Sequence, residues 1–377
     1  MERTQQREHS TPLYLTSSFV FDDAEQARAM FAEEIGGNVY SRFSNPNTSE
    51  LEDKISSLEE TENAFATASG MAAVFASIAP FTKSGDHIVS SRSVFGNTHK
   101  IMTELLPQWD ISVTYADIRD KSSWEKAIQK NTKLLFIETP SNPALDVIDL
   151  EWLGNLAKEN GLLLVVDNCF ATPYLQLPVK FGADLIVHSG TKYIDGQGRV
   201  LGGMVAGPKD KIKEVRNFVK KTGASLSPFN AWVLSKSLET LAVRMDRHCD
   251  NAEALAKHLQ GHADVETVTY PFLDTYPQRD VAIKQMKRGG GLLCFEIKGG
   301  VERGRKFLDA LNMLSLTANL GDTRSIVTHP ASTTHSKLTK EERGLVYVTD
   351  GMIRISAGLE HIDDIIEDIE KAFAATK

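Results

Sequence analysis

Cysteine is scarce: Cys169, Cys249 and Cys294 are the only three in 377 residues, and they lie far apart. That excludes a disulfide framework and a cysteine-based zinc site, and it fits reduced thiols. The ten histidines fall in no His-Glu-x-x-His or comparable ligand spacing, so no metal is expected. No apolar run approaches the length of a bilayer span, and Met1 to Gln6 lacks the apolar core of a secretory signal. The expectation is no membrane partner and a cytoplasmic location. Excess positive charge is also missing. The formal net charge is -8 with both signs interspersed, which disfavours nucleic acid and anionic lipid as partners. An anionic ligand must then be held by local donors. There is no internal repeat and no low-complexity segment. At 41% hydrophobic and 24% charged residues, the chain reads as globular and long enough for two domains.

The stretch most suited to chemistry is His188-Ser189-Gly190-Thr191-Lys192-Tyr193. It follows Ala183-Asp184-Leu185-Ile186-Val187, an apolar run that reads as a buried strand, and precedes the glycine-rich Gly196 to Gly203. A desolvated lysine can lose its proton and condense with an aldehyde, while Ser189 and Thr191 offer hydroxyls to a nearby anion. Taken alone, Lys192 reads more readily as a solvated charge at a strand end. Upstream, Gly161 to Val166 is a second apolar strand, and it ends in Asp167, 25 residues before the lysine. A buried aspartate needs a cation, and a protonated pyridine nitrogen would be one. A helix cap is the competing reading of Asp167.

Residues 1 to 48 read as an irregular arm with a helix from Ala24 to about Glu34 and little apolar periodicity, suited to lying on a neighbouring subunit. A helix is expected from Asn47, with Glu50 as its reciprocal cap and Leu51, Ile55 and Leu58 on one face. Ala66 to Ala73 is a run of small residues that opens a further helix through Ile78. Its amides, including those of Gly70 and Met71, suit a phosphate, or the small residues serve close packing. Strands are then expected near residues 86–90, 111–115, 134–138 and 204–206, besides the two already named, with helices around 99–106, 122–128 and 150–159 between them. Such alternation predicts a mostly parallel sheet covered on both faces, with ligands at the carboxyl ends of its strands. One long helix is expected from Ser227-Pro228 toward Gly261. Alternating strands at Leu292–Ile297 and Met352–Ser356, and a terminal helix with Ile362, Ile365, Ile366 and Ile369 on one face, suggest a smaller α+β domain. Gly196-Gln197-Gly198 resembles the start of a dinucleotide fingerprint but lacks the strand-turn-helix context.

These residues together resemble the Cys/Met-metabolism family of pyridoxal 5'-phosphate (PLP) enzymes. The shared motifs are Pro12 to Phe19, Tyr40-Ser41-Arg42, Ser69-Gly70-Met71, Glu138-Thr139-Pro140-Ser141-Asn142-Pro143, Val166-Asp167-Asn168, Ser189 to Tyr193 and His329-Pro330-Ala331. The resemblance implies an α/β fold of PLP-dependent transferase fold type I, aspartate-aminotransferase-like, with a mostly parallel central sheet and a smaller C-terminal α+β domain. It implies an arm over 1–48, a PLP-binding domain over 49–245 and a C-terminal domain over 246–377, usually assembled as a homotetramer of dimers that share active sites. Lys192 would be the catalytic Schiff-base lysine and Asp167 the partner of the pyridine nitrogen. Gly70, Met71, Ser189 and Thr191 would bind the phosphate, and Tyr40 and Arg42 would reach the phosphate of a neighbouring subunit. Arg354 would fork onto the substrate carboxylate, with Asn142 orienting cofactor and substrate. By themselves Arg354 also fits an exposed strand charge and Asn142 a turn residue.

Three positions depart from the family pattern. Phe95 stands where a tyrosine commonly covers the cofactor ring, keeping the stacking surface without the phenol. Asn319 stands where a serine commonly precedes Leu-Gly, beside the substrate carboxylate, and Cys169 replaces a common threonine. A thiol leaving group gains more from a nearby acid than a carboxylate does, so Phe95 favours an activated homoserine ester. The pattern looks most like the O-succinylhomoserine sulfhydrylase branch, which implies small-molecule substrates: an O-acylhomoserine and sulfide, giving homocysteine. Alternatives are a cystathionine γ-synthase or γ-lyase, and a PLP-fold binding or regulatory protein without catalysis.

Overall fold

The computed structural model describes residues 3–376. Its centre is a seven-stranded sheet in the order β1-β7-β6-β5-β4-β2-β3. The strands are β1 (Asn63–Thr67), β2 (His87–Ser91), β3 (Ser112–Ala116), β4 (Thr132–Glu138), β5 (Leu163–Asp167), β6 (Leu185–Ser189) and β7 (Gly203–Gly207). Strands β3, β2, β4, β5 and β6 run parallel in succession, and β7 runs against both β6 and β1. Successive residues of one strand enter different cores. Leu134 and Phe136 pack with Val165, Val187 and Ile212 on one face, whereas Leu135 and Ile137 pack with Val166, Ile186 and Leu153 on the other. A strand buried on both faces cannot alternate apolar with polar, which is why these runs read as continuously hydrophobic.

A second sheet has the order β10-β11-β12-β9-β8, formed by β8 (Val265–Thr269), β9 (Leu292–Ile297), β10 (Ser315–Leu316), β11 (Ile326–Thr328) and β12 (Met352–Ser356). The terminal helix Ile362–Ala375 buries Ile365, Ile369 and Phe373, and Phe373 meets Phe295 and Phe307 with ring centroids 5.9 and 4.8 Å apart.

Several local expectations are corrected. The early helix spans Pro46–Leu58 and is capped by Asn45, whose side chain accepts the Asn47 N–H at 2.9 Å while Thr48 completes the capping box. Pro46 fits the first turn because its missing N–H has no helical partner there. Glu50, expected as a cap, pairs with Lys54 at 2.9 Å instead. The small-residue run is preceded by a strand the pattern did not reveal, β1, whose pairing with β7 reaches Ala66 and Thr67. The expected long helix is two helices, Pro228–Leu238 and Leu241–Leu259. The Ser237 carbonyl at the break accepts from the Thr240 N–H at 3.1 Å, from Thr240 Oγ1 at 3.2 Å and from the buried Arg244 guanidinium at 3.1 Å, so a tight turn and two side chains take the acceptor that a continuing helix would use.

Candidate active site

The carboxyl ends of β4, β5 and β6 bring the chemical residues together. Beyond β6 the chain turns so that Gly190 donates to Gly202 at 2.8 Å and Asp195 donates back to Gly190 at 2.8 Å, closing a compact loop around Lys192. Gly196 sits at φ 70°, and a Cβ there would stand 2.2 Å from Arg244 Nη1. The position therefore requires glycine twice over.

Lys192 Nζ donates to Asn319 Oδ1 at 2.6 Å. Burial pushes its amine below the ordinary lysine range, reinforced by the Arg354 charge and opposed by Cys169 and Glu138. Arg354, on β12 and 5% exposed, donates from Nη1 to Asn142 Oδ1 at 2.7 Å and from Nη2 to the Asn319 carbonyl at 3.2 Å. Its Nε has no partner among the described residues. The second sheet thus delivers a buried guanidinium to the lysine. Four residues expected at the site, Lys192, Asn142, Asn319 and Arg354, form one bonded chain. Asn319, a departure from the family pattern, joins the lysine to the arginine.

Asp167 is half-buried at the end of β5, and its Oδ1 accepts the Cys169 N–H at 3.0 Å. Burial pushes its carboxyl up to about 6, while that bond and His188 pull the other way. A carboxylate short of a cation suits the protonated nitrogen of a pyridine ring. Gly70 and Met71 open the helix Gly70–Ile78 behind the Ser69 cap, and a Cβ on Gly70 would come within 2.7 Å of Ser189 Cβ. Helix-start amides and the Ser189 hydroxyl are therefore adjacent, a donor set suited to a phosphate. Thr191 Oγ1 accepts the Gly202 N–H at 3.3 Å, so this hydroxyl also braces the loop.

Phe95 is 43% exposed, and its N–H donates to Glu138 Oε2 at 2.7 Å. Tyr40 and Arg42 stand apart from this cluster. The Arg42 guanidinium lies 5.5 Å from the Tyr40 ring centre and 4.6 Å from that of Phe43, and it bonds the Lys220 carbonyl. Among the described residues no hydrogen bond or ion pair joins either one to Lys192, Asp167 or Ser189.

The residues 1–374 match the model of the Cys/Met metabolism PLP-dependent enzymes. The chain belongs to that family. PLP is its cofactor, and the donor set above fits that group at both ends, pyridine nitrogen and phosphate. An O-succinylhomoserine sulfhydrylase from Pseudomonas aeruginosa is 46% identical over 373 residues, covering 99% of this chain and 93% of the relative. An L-methionine gamma-lyase from Fusobacterium nucleatum subsp. polymorphum is 45% identical over 363 residues, covering 96% and 92%. Among solved structures, a candidate O-acetylhomoserine (thiol)-lyase from Campylobacter jejuni, which carries a pyridoxyl-lysine monophosphate, superposes with a TM-score of 0.96 at 36% identity, covering 99% of this chain and 97% of the other. A cystathionine gamma-lyase from Lactobacillus plantarum complexed with L-serine gives 0.93 at 31%, covering 100% and 96%. The chain is a PLP-dependent enzyme of methionine and cysteine metabolism, of the kind that performs γ-elimination or γ-replacement.

Two polar groups at this end escaped the sequence reading. Glu138 lies inside a quoted motif but received no role, although it ends an apolar strand in a carboxylate just as Asp167 does. His188, on β6, is buried with Nε2 2.5 Å from Glu59 Oε1, and neither His188 Nδ1 nor Glu59 Oε2 has a partner among the described residues. Nothing in the sequence pairs residues so far apart.

Proposed function

We propose that the enzyme replaces the γ-acyloxy group of an O-acylhomoserine, O-succinylhomoserine before O-acetylhomoserine, with sulfide to give homocysteine. Phe95 carries this reading: the ring-covering side chain has no proton to offer, so the departing group must be stable without one, as a carboxylate is. PLP, when bound, supplies the electron sink for charge at the carbon beside the substrate amine. Lys192 would hold the cofactor at rest and, once free, would accept the α proton, give it up, and then accept a β proton, a task for which its depressed basicity suits it. Asp167 keeps the pyridine nitrogen protonated. Gly70, Met71, Ser189 and Thr191 hold the phosphate. Arg354 grips the substrate α-carboxylate through its fork, with Asn142 and Asn319 fixing the orientation of that fork.

In the same reading residues 1–48 lie on a neighbouring subunit, where Tyr40 and Arg42 reach its phosphate site. Residues 49–245 form the PLP-binding domain and 246–377 the C-terminal domain of a cytoplasmic homotetramer. A γ-lyase reading is supported by the 45% identity to the Fusobacterium L-methionine gamma-lyase. One experiment separates the two. Purified PLP-loaded protein is given sulfide with O-succinyl- or O-acetylhomoserine, cysteine in place of sulfide, or methionine alone. Homocysteine from either ester with sulfide is expected. Product only with cysteine would make the protein a cystathionine γ-synthase, and methanethiol from methionine without ester turnover would make it a lyase.

A further inference from the structure

Glu138 closes β4 beside Asp167, which closes β5, and the two are direct register partners in adjacent parallel strands. Their side chains therefore leave the same face of the sheet. Glu138 is 4% exposed, forms no ion pair among the described residues, and accepts one hydrogen bond, from the Phe95 N–H. Two neighbouring carboxyl groups supplied with so few donors do not both keep a charge. The groups facing Glu138 are Asp167 from β5, Lys192 from the loop after β6, Arg354 from β12 and the Cys169 thiol. Burial and the Asp167 charge push Glu138 well above the usual carboxyl range, against the pull of Phe95, Arg354 and Lys192. Glu138 is the more enclosed of the two, buried where Asp167 is half-buried, which makes Glu138 the holder of the proton.

We propose that Glu138 is a positioning residue that remains a neutral carboxylic acid in the holoenzyme: it fixes Phe95 through the backbone amide and leaves Asp167 as the single negative charge offered to the pyridine nitrogen. A second full charge on that face would overcompensate one pyridinium. Loss of the carboxyl group would free the chain segment that carries the ring-covering phenyl. The inference rests on PLP binding, which the family supplies, and not on the choice of ester or thiol.

The test compares holoenzyme of the wild type, Glu138→Gln and Glu138→Ala, and uses neither ester nor sulfide. In the infrared, the wild type is expected to show a protonated-carboxyl C=O band that vanishes in Glu138→Gln. Glu138→Gln, which mimics the neutral acid, should bind PLP within about threefold of wild type, whereas Glu138→Ala should bind at least about tenfold more weakly because the Phe95 amide loses its acceptor. The pH midpoint of the bound cofactor's visible absorbance should be unchanged in Glu138→Gln. An ionised Glu138 would lack the band, and its replacement by glutamine would move that midpoint by about one unit or more. Either result overturns the proposal. If Glu138→Ala does not fold, the infrared band and the glutamine variant still decide it.

Discussion

Glu138, at the end of a central strand, is 4% exposed, whereas Val20, in the N-terminal arm, is 99% exposed. The two regions invert the usual arrangement in opposite ways. At the sheet end, carboxyl groups, an amine and a guanidinium are enclosed together. Along the arm, Leu15, Val20 and Phe31 are 67%, 99% and 64% exposed. Enclosed charge is costly unless something compensates it, and at the sheet end a cofactor with a cationic nitrogen and an anionic phosphate does so. Exposed apolar side chains clustered on a segment without a core of its own are economical only when another surface covers them. One region is completed by a small molecule and the other, in the proposed assembly, by a second copy of the chain.

The largest expected effect breaks the first half of this contrast. Lys192→Ala should abolish turnover and the visible absorbance of covalently held PLP, checked by spectroscopy and by homocysteine assay. Retained turnover would mean that the enclosed cluster is not the reaction centre. A smaller effect sharpens the second half. Val20→Asp should leave the stability of an isolated chain within about 0.5 kcal/mol, because a substitution at so exposed a position costs little. If a neighbouring subunit covers Val20, the aspartate must lose its water without a partner, at a cost of about 2 kcal/mol or more. Sedimentation at decreasing concentration should then show the variant dissociating where the wild type stays assembled. Equal behaviour of the two would place Val20 in solvent.

How much was legible in the sequence follows the same division. The strands Leu292–Ile297 and Met352–Ser356 and the helix Leu150–Glu159 stand where the pattern puts them, because local periodicity and caps define each one. Lys192 and Asp167 were visible as chemistry because one closely follows and the other ends an apolar strand, whereas the role of Arg354 came only with the family resemblance. Two kinds of feature were not legible. At the break near Thr240, Arg244 reaches the Ser237 carbonyl seven residues back and carbonyls in a distant loop, at Tyr193 and Ile194, which no helical pattern records. The bond between Lys192 and Asn319 spans 127 positions and exists only because the second sheet docks against the first. Propensity and period report on neighbours in sequence, whereas a site is built from neighbours in space.

The smallest expected effect lies where the arm meets the body. Asn45 and Asn47 are both fully buried, and they do different work. Asn45 caps the helix Pro46–Leu58 through its side-chain oxygen, and its amide donates to the Tyr14 carbonyl at 3.0 Å and to Ser41 Oγ at 3.1 Å. Asn47, which the sequence suggested as the start of the helix, instead ties down the arm: its oxygen accepts the Tyr14 N–H and its amide donates to the Pro12 carbonyl, both at 2.8 Å. Asn45→Ala removes the cap and two arm contacts, and should lower stability by about 1–2 kcal/mol. Asn45→Ser keeps a capping oxygen but loses the amide, so it should recover about 1 kcal/mol of that loss. Thermal unfolding of the two variants side by side measures the difference. If serine is as damaging as alanine, the cost lies in the arm contacts, and the arm is held to its own subunit more firmly than its exposed side chains suggest. If serine restores most of the stability, the helix cap dominates, and Asn47 rather than Asn45 is what holds the arm to its own subunit.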